Sequence, residues 1–367
     1  MDLSLSDTEQ RLAESVRRFV DRAAPKDRLV DLRATRAASP ADWATTMAAA
    51  GWLGLLIPSE LGGSGATPTE AAMFFEEIGR APLPPSWLLS SGVAAPLLAA
   101  APAGEDRAAA LAGIATGDIV LVPAFRSRDR RWIGLTAVAS GRTVSHEFVF
   151  VCGLADATHL LTPVASHGSE SLALIPVDHP AVEPRPLGGF LPDSYAVTVD
   201  DLDLDTVPRV PCAFNDAHAQ RAMALAAAMI SAYQVGSCSR LLEISVAHAN
   251  ERVQFGQLIG SFQRVQDHIV RIVNALDSAR WILYEALSHA DEASSGRRFA
   301  AKAWLARSAA IESHWECANA AHEVLAGIGS DPAHGTVLHT AMSRLLHDIL
   351  GDPAYCRRRI AEAEGWA

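Results

Sequence analysis

The spacing of apolar residues along the chain changes twice, and the changes divide it into three parts. Over residues 1–115, and again from about 212 onward, apolar positions recur every three or four residues, which is typical of helices packed on a core. Between these parts the apolar residues form short runs separated by Gly, Pro, Asp or His, which indicates strands. Helices and strands are segregated, so the pattern predicts an α+β fold and not a doubly wound nucleotide-binding sheet.

The first part, residues 1–115, predicts an N-terminal helical domain. Ser6 begins the first helix, Pro40 precedes the second, and Thr69–Arg80 has the spacing of a third with one core-facing side. Between the second and third helices the glycine-rich stretch 57–65 predicts a loop, because glycine and proline interrupt regular structure.

The middle part, residues 116–211, predicts a small antiparallel β-barrel or sandwich. Short strands at such intervals, bounded by turn residues, are typical of these folds. The predicted strands are Ile119–Val122, Ala137–Ser140, Phe148–Val151, His159–Pro163, Leu172–Val177 and Tyr195–Val199. The chain contains no G-x-G-x-x-G or P-loop motif, so neither nucleotide-binding signature is available.

The last part, residues 212–367, predicts a four-helix bundle. Ala217–Val253 contains no proline and carries one apolar stripe, which is typical of a long core helix. A second long helix begins at Gln263, and Ile311–Ile328 and Thr336–Ile349 complete the bundle.

The corner between the first two bundle helices carries the clearest candidate chemistry. Arg252 lies at the C-terminal end of the first helix, where a cation is favourable, and Phe255-Gly256 predicts the turn that follows. A guanidinium at such a corner can hold a diphosphate through two parallel hydrogen bonds. Spacing alone leaves open the alternative that this arginine only caps its helix.

Charge and hydropathy exclude several classes of partner. The chain has 31 basic and 42 acidic residues, a net charge of −11, which argues against nucleic acid or an anionic membrane as a partner. No uninterrupted apolar run approaches the roughly 20 residues of a membrane span, and the polar, acidic start of the chain predicts no signal peptide.

The cysteines predict neither a disulfide framework nor a metal site. They are odd in number, scattered and never spaced C-x-x-C, so we expect reduced thiols in a cytoplasmic protein. The five cysteines are Cys152, Cys212, Cys238, Cys317 and Cys356.

The helical corner also resembles a known family. R-x-x-F-G, at 252–256, followed by I-G-x-F-Q-x-x-Q, at 259–266, resembles the acyl-CoA dehydrogenases, and the order of helical domain, β domain and bundle resembles them over essentially the whole chain. The resemblance implies FAD as cofactor and an acyl-CoA thioester as substrate, which loses an α proton to a carboxylate and a β hydride to the flavin.

In that family the arginine and the first glutamine of these motifs reach across a dimer interface to the neighbour's flavin cofactor. The resemblance therefore implies that Arg252, Phe255 and Gln263 bind the cofactor of an adjacent subunit.

A second cofactor-contacting loop of the family, Q-x-x-G-G-x-G, is partly kept at 322–329. Gly327 and Gly329 match it and allow close backbone approach. Glu323 stands at the glutamine position, where a negative charge beside a diphosphate is unfavourable.

The family's catalytic base has no counterpart. The usual glutamate position falls on Gly351, and stretch 222–228, where some members place the base, contains no carboxylate. Asp352 is the nearest substitute, although its position before a proline favours a turn residue. His347 and Asp348 could relay a proton, with helix capping as the other use of that histidine.

The segments that hold the flavin within the same subunit are also altered. Stretch 122–129 lacks the family's glycine-rich turn and begins a loop containing Arg126, Arg128 and Arg130, which we interpret as a basic turn in solvent. Stretch 147–152 keeps an aromatic residue and lacks the family's hydroxyl.

The residues that would bind a neighbouring subunit's cofactor thus match the family's motifs, whereas the residues that would hold a flavin in the chain's own pocket do not. This resembles the base-less subunit of two-subunit, α2β2 acyl-CoA dehydrogenases of actinobacteria, whose homologous partner carries the base and which often act on bulky acyl-CoA thioesters, including sterol side-chain intermediates. Two alternatives stay open. One is a flavin-dependent monooxygenase of the same fold, which needs no base, and the other is a non-catalytic scaffold.

Overall fold

A computed structural model describes residues 5–128, 142–166, 168–188, 193–290 and 296–366. The predicted strand Ala137–Ser140 and Arg130 lie outside the described residues. The predicted order of helical, β and helical regions is confirmed, whereas the boundaries at 115 and 211 stay predictions.

The N-terminal region is helical, as its apolar spacing predicts. Its first helix begins with a capping box in which the Ser6 hydroxyl accepts from the Glu9 N–H and the Glu9 carboxylate accepts from the Ser6 N–H. Residues 90–94 form a single π-helical turn between two of the helices. The helices are α1 Asp7–Ala23, α2 Lys26–Thr35, α3 Ala41–Ala49, α4 Pro68–Arg80, α5 Pro85–Leu89, α6 Ala95–Ala100 and α7 Glu105–Thr116.

The middle region contains two sheets among the described residues, with strand orders β1-β3-β4-β7 and β2-β6-β5. The strands are β1 Leu121–Pro123, β2 Thr143–Cys152, β3 His159–Ser166, β4 Ser169–Pro176, β5 Val182–Pro186, β6 Ser194–Asp203 and β7 Arg209–Pro211. The two sheets fit the predicted sandwich better than a closed barrel.

The prediction of a wholly antiparallel region is wrong in one place, because β1 pairs with β3 in parallel. Sequence reasoning also missed β5 and β7. β5 carries two prolines and is largely exposed, as an edge strand permits, so it lacks the apolar alternation by which strands are recognised.

The C-terminal region is a bundle built on α8 Ala217–Glu251, α9 Gln263–Leu287 and α10 Gly296–Leu325, followed by α11 Thr336–Leu345 and α12 Pro353–Glu364. The first two helices begin where predicted. The third begins 15 residues before the predicted Ile311, the fourth ends at Leu345 instead of Ile349, and α12 was not predicted.

Close helix packing joins the N-terminal region to the bundle. A Cβ on Gly236 of α8 would lie 1.8 Å from the Glu76 carbonyl oxygen of α4, and a Cβ on Gly79 would lie 2.0 Å from the Tyr233 carbonyl oxygen. Only glycine fits at both positions, so α4 and α8 pack backbone against backbone.

Among the described residues, helix α8 is long and apolar enough to cross a membrane by length and composition alone. However, 94% of its most apolar window is buried inside the protein. It is therefore the core helix that the apolar stripe predicted.

Candidate functional site

The predicted corner is present as a tight hairpin at the end of α8. Arg252 caps the helix, and its backbone N–H donates to the His248 carbonyl. Strands β8 Val253–Gln254 and β9 Gln257–Leu258 are joined by Phe255 and Gly256, which both have positive φ, 53° and 78°. Two successive positive φ values are those of a type I′ turn, the connection that suits a two-residue hairpin.

The structure brings Arg252, Phe255 and Gln263 to one exposed surface. The Ile259 N–H donates to the Arg252 carbonyl, which folds the hairpin back toward α9. Gln263 is the first residue of α9, next to Phe262, whose ring meets that of Phe255 edge to face at 6.2 Å. Phe255 is 93% exposed.

This surface is suited to an anion. The Arg252 side chain is exposed and forms no ion pair or side-chain hydrogen bond with any described residue. The N-terminus of α9 has no side-chain cap, so its free N–H groups and positive dipole end add to the attraction. The exposed face of the aromatic ring and the guanidinium, which has no partner among the described residues, are therefore open to a ligand or to another chain.

The second loop lies at the end of α10, and its two glycines differ. A Cβ on Gly327 would meet nothing within 4 Å, whereas a Cβ on Gly329 would lie 3.0 Å from both His322 Nδ1 and Leu325 Cβ. Packing within the chain therefore explains Gly329 and not Gly327, and Gly327 is the one open to a ligand. Glu323 is exposed.

Gly351, which the sequence resemblance aligns with the family's base, cannot carry a side chain without a local rearrangement. Its φ is +106°, and a Cβ there would lie 2.3 Å from Tyr355 Cδ1. Asp352 is the N-cap of α12, and its carboxylate accepts from the Tyr355 N–H at 2.7 Å. Asp352 therefore caps α12, as its place in the turn suggested.

The cleft beside this loop is nearly closed. It encloses about 80 Å³ and is lined on one side by Phe125, Arg126 and Phe150 and on the other by Asp348 and Leu350, among others. Ligand pockets usually enclose about 300–1,000 Å³, so this cleft is much smaller than a typical ligand pocket in this conformation.

An ion pair across the cleft corrects the prediction for the basic loop. Arg126 is not a solvated turn residue, because its Nη1 donates to Asp348 Oδ2 at 2.6 Å and its guanidinium lies 4.5 Å from the centroid of the Phe150 ring. Arg128 does lie at the surface, where it forms an ion pair with Glu147.

Asp348 also accepts a hydrogen bond from His347 Nδ1 at 2.5 Å. This ring nitrogen therefore binds the neighbouring carboxylate and not a carbonyl at the end of the helix, as the capping prediction would require. The hydrogen bond from His347, followed by the ion pair with Arg126, lowers the pKa of Asp348 to about 2. The aspartate is thus held ionised by two partners, Arg126 and His347, and is poorly suited to accept a proton.

A buried arginine that sequence reasoning missed fixes the same loop from behind. Arg307 of α10 is fully buried, and its Nη2 donates to the carbonyl oxygens of Leu346 and, at 2.9 Å, Ile349. Its Nη1 donates to Gln234 Oε1 at 2.5 Å. Leu346 is the C-cap of α11, so the cation also lies at the negative end of that helix dipole. A polar residue inside the apolar helix α8, Gln234, was the available signal.

The cysteines form no disulfide, although Cys152 lines the closed cleft. All five cysteines are free and buried. Within the described ranges no group of three or more His, Cys, Asp or Glu could hold a metal ion.

Comparison with known proteins places this geometry in a family. A model described as "Acyl-CoA dehydrogenase, N-terminal domain" matches residues 6–118, and one described as "Acyl-CoA dehydrogenase, C-terminal domain" matches residues 217–363. The chain is 26% identical over 369 residues to acyl-CoA dehydrogenase IpdE2 of Mycolicibacterium smegmatis, with 98% of this chain and 99% of that protein covered.

Solved structures share the fold. A chain of the ChsE4–ChsE5 complex from Mycobacterium tuberculosis matches with a TM-score of 0.86 at 21% identity, and the match covers 100% of this chain and 100% of that one. The FAD complex of PigA matches with a TM-score of 0.82 at 20% identity, covering 100% of this chain and 99% of that one. FAD is the cofactor of the family. The two domain models together span most of the sequence, and this chain belongs to the acyl-CoA dehydrogenase family.

Proposed function

We propose that the chain is one subunit of an FAD-dependent acyl-CoA dehydrogenase, and that it contributes to the flavin site of a homologous partner subunit that carries the catalytic base. The observation that carries the proposal is a contrast between two surfaces. The corner of Arg252, Phe255 and Gln263 is exposed and unpaired, whereas the chain's own cleft is closed by Arg126 and Asp348.

The residues at the corner fit the diphosphate part of FAD. The Arg252 guanidinium can donate two parallel hydrogen bonds to phosphate oxygens. The Gln263 amide and the free N–H groups at the start of α9 add neutral donors, and the Phe255 ring gives an apolar surface. FAD, when bound there, supplies the hydride acceptor of the reaction, and this chain supplies binding and orientation.

The closed cleft and the missing base support the assignment of chemistry to a partner. Gly351 and Asp352 leave no carboxylate free at the base position. The same closure argues against a self-sufficient flavin-dependent monooxygenase, because that enzyme would need a flavin ring in this cleft. Names of similar proteins add support, since one similar structure is a complex of two such chains.

Substitution of Arg252 tests the proposal. We expect Arg252→Ala to lower the flavin content of the co-purified assembly at unchanged subunit ratio, measured by absorbance near 450 nm. Arg11→Ala is the matched control, because Arg11 is also exposed and its side chain forms no ion pair or hydrogen bond with a described residue. Equal flavin content in both variants would favour the scaffold alternative. Turnover of an acyl-CoA by the chain alone would contradict the proposal.

A further inference from the structure

A larger cleft lies between helices α1 and α2 and the C-terminal half of α8. It has a volume of about 500 Å³, within the usual range for small-molecule sites. It shares no lining residue with the closed cleft or with the corner around Arg252. Nothing in the proposed function uses it.

One wall of this cleft carries a chain of alternating charges. Arg17 Nη2 lies 2.5 Å from Glu77 Oε1, Arg80 Nε lies 3.5 Å from Glu77 Oε2, and Arg80 Nη2 donates to Glu243 Oε2 at 2.9 Å. Arg240 Nη1 donates to Glu243 Oε2 at 3.0 Å. Three guanidiniums share two carboxylates, so this wall keeps one surplus positive charge, and Arg17 and Arg240 at its ends retain unused N–H groups.

The rim of the cleft is of mixed charge. Lys26, His248 and His334 line it together with Asp21 and Glu251. These two acids are exposed, and so are Arg17 and Arg240 at the ends of the charge chain, so water and salt screen all four, whereas the Arg80 side chain between them is 17% exposed.

A buried histidine, His339, adds a hydrogen-bond donor whose direction follows from its neighbours. Arg307 donates to Gln234 Oε1, so the Gln234 amide nitrogen faces His314 Nδ1, at 3.4 Å, and donates to it. Neutral His314 then carries its proton on Nε2 and donates to Ser237 Oγ at 2.7 Å.

The Ser237 hydroxyl in turn donates to His339 Nδ1 at 2.7 Å. Neutral His339 therefore carries its proton on Nε2. The residue is 3% exposed and lines the cleft, and its Nε2 forms no hydrogen bond with a described residue. A donor that opens onto a cleft can be paired by water or by an acceptor atom of a ligand.

The other walls are apolar. Val20, Leu29, Pro82, Ile244 and Leu338 line the cleft, so it could cover a hydrocarbon body as well as a charged head.

We propose that this cleft binds a free organic acid. Its carboxylate accepts from His339 Nε2 and lies beside the guanidiniums of Arg17 and Arg240, and its hydrocarbon body packs on the apolar walls. This site is separate from the proposed flavin site, so the test of organic-acid binding does not depend on the proposed function.

Titration calorimetry on the full-length chain tests the inference with three probes: octanoate, octanol and inorganic phosphate. We expect octanoate to bind about tenfold or more tightly than either other probe, because octanol lacks the charge and phosphate lacks the apolar body. His339→Leu and Arg240→Ala should each weaken octanoate binding about tenfold.

Arg142→Ala is the matched control, since Arg142 is an exposed arginine in an ion pair with Asp203 on the β region, and it should leave binding unchanged. If His339→Leu fails to fold by circular dichroism, Arg240→Ala decides. Octanol or phosphate binding as tightly as octanoate, equal binding by all variants, or no octanoate binding at up to about 10 mM would each overturn the inference.

Discussion

A side chain at position 351 should destabilise this protein. In Gly351→Ala the new Cβ faces two costs: a φ of +106° and a contact of 2.3 Å with Tyr355 Cδ1. Backbone strain of this kind costs about 1–3 kcal/mol. The Tyr355 ring packs edge to face on Trp304 at 5.6 Å, so moving it costs about another 1 kcal/mol. We expect a loss of about 2–4 kcal/mol in the free energy of unfolding.

Urea unfolding monitored by circular dichroism gives that free energy. Gly62→Ala is the control, because Gly62 has a φ of +86° and a Cβ there would meet nothing within 4 Å; it should cost about 1–2 kcal/mol from the backbone alone. In a Tyr355→Ala background the extra cost at 351 should shrink, because the ring is gone and only the contact of 2.9 Å with the Cβ of residue 355 remains. A Gly351→Ala cost no larger than that of Gly62→Ala would refute the reasoning. Gly351→Glu should fail to supply a base, because its side chain meets the same backbone strain and the same contact with Tyr355.

Three further predictions concern the buried network and the closed cleft. Arg307→Met should lower the free energy of unfolding by about 3 kcal/mol or more, because two carbonyls and an amide lose their donor; a loss below about 1 kcal/mol in urea unfolding would contradict this. Burial lowers the pKa of His314 from 6.5 to about 3, so the unfolded chain binds more protons between these values and stability falls as pH falls, by about 1.4 kcal/mol per pH unit for this group. His314→Phe should flatten the measured slope between pH 6.5 and 4 by that amount, and an unchanged slope would show that the histidine is not buried neutral. Arg126→Ala should raise the pKa of Asp348 in a carbon-13 carboxyl titration yet cost little stability, since this ion pair is partly exposed, and an unmoved pKa would mean that the ion pair does not form in solution.

The features that follow from local spacing were predictable from the sequence. The capping box at Ser6, the start of α8 and the turn at Phe255-Gly256 each depend on residues a few positions apart. The family resemblance likewise identified Arg252 and Gln263, and the structure shows them exposed on one surface.

The features that depend on distant residues were not predictable. The ion pair of Arg126 and Asp348 joins residues 222 positions apart, and the loop that Arg307 fixes contains no pattern that marks it. The closure of the chain's own cleft is therefore visible only in three dimensions, whereas the proposed absence of a base rests on the sequence motifs.

Flavin stoichiometry of the assembly purified with its partner subunit tests the central claim most directly. The account predicts one FAD for each pair of unlike subunits, and no flavin retained by this chain when it is purified alone. One FAD for every chain, or a flavin held by this chain alone, would contradict it.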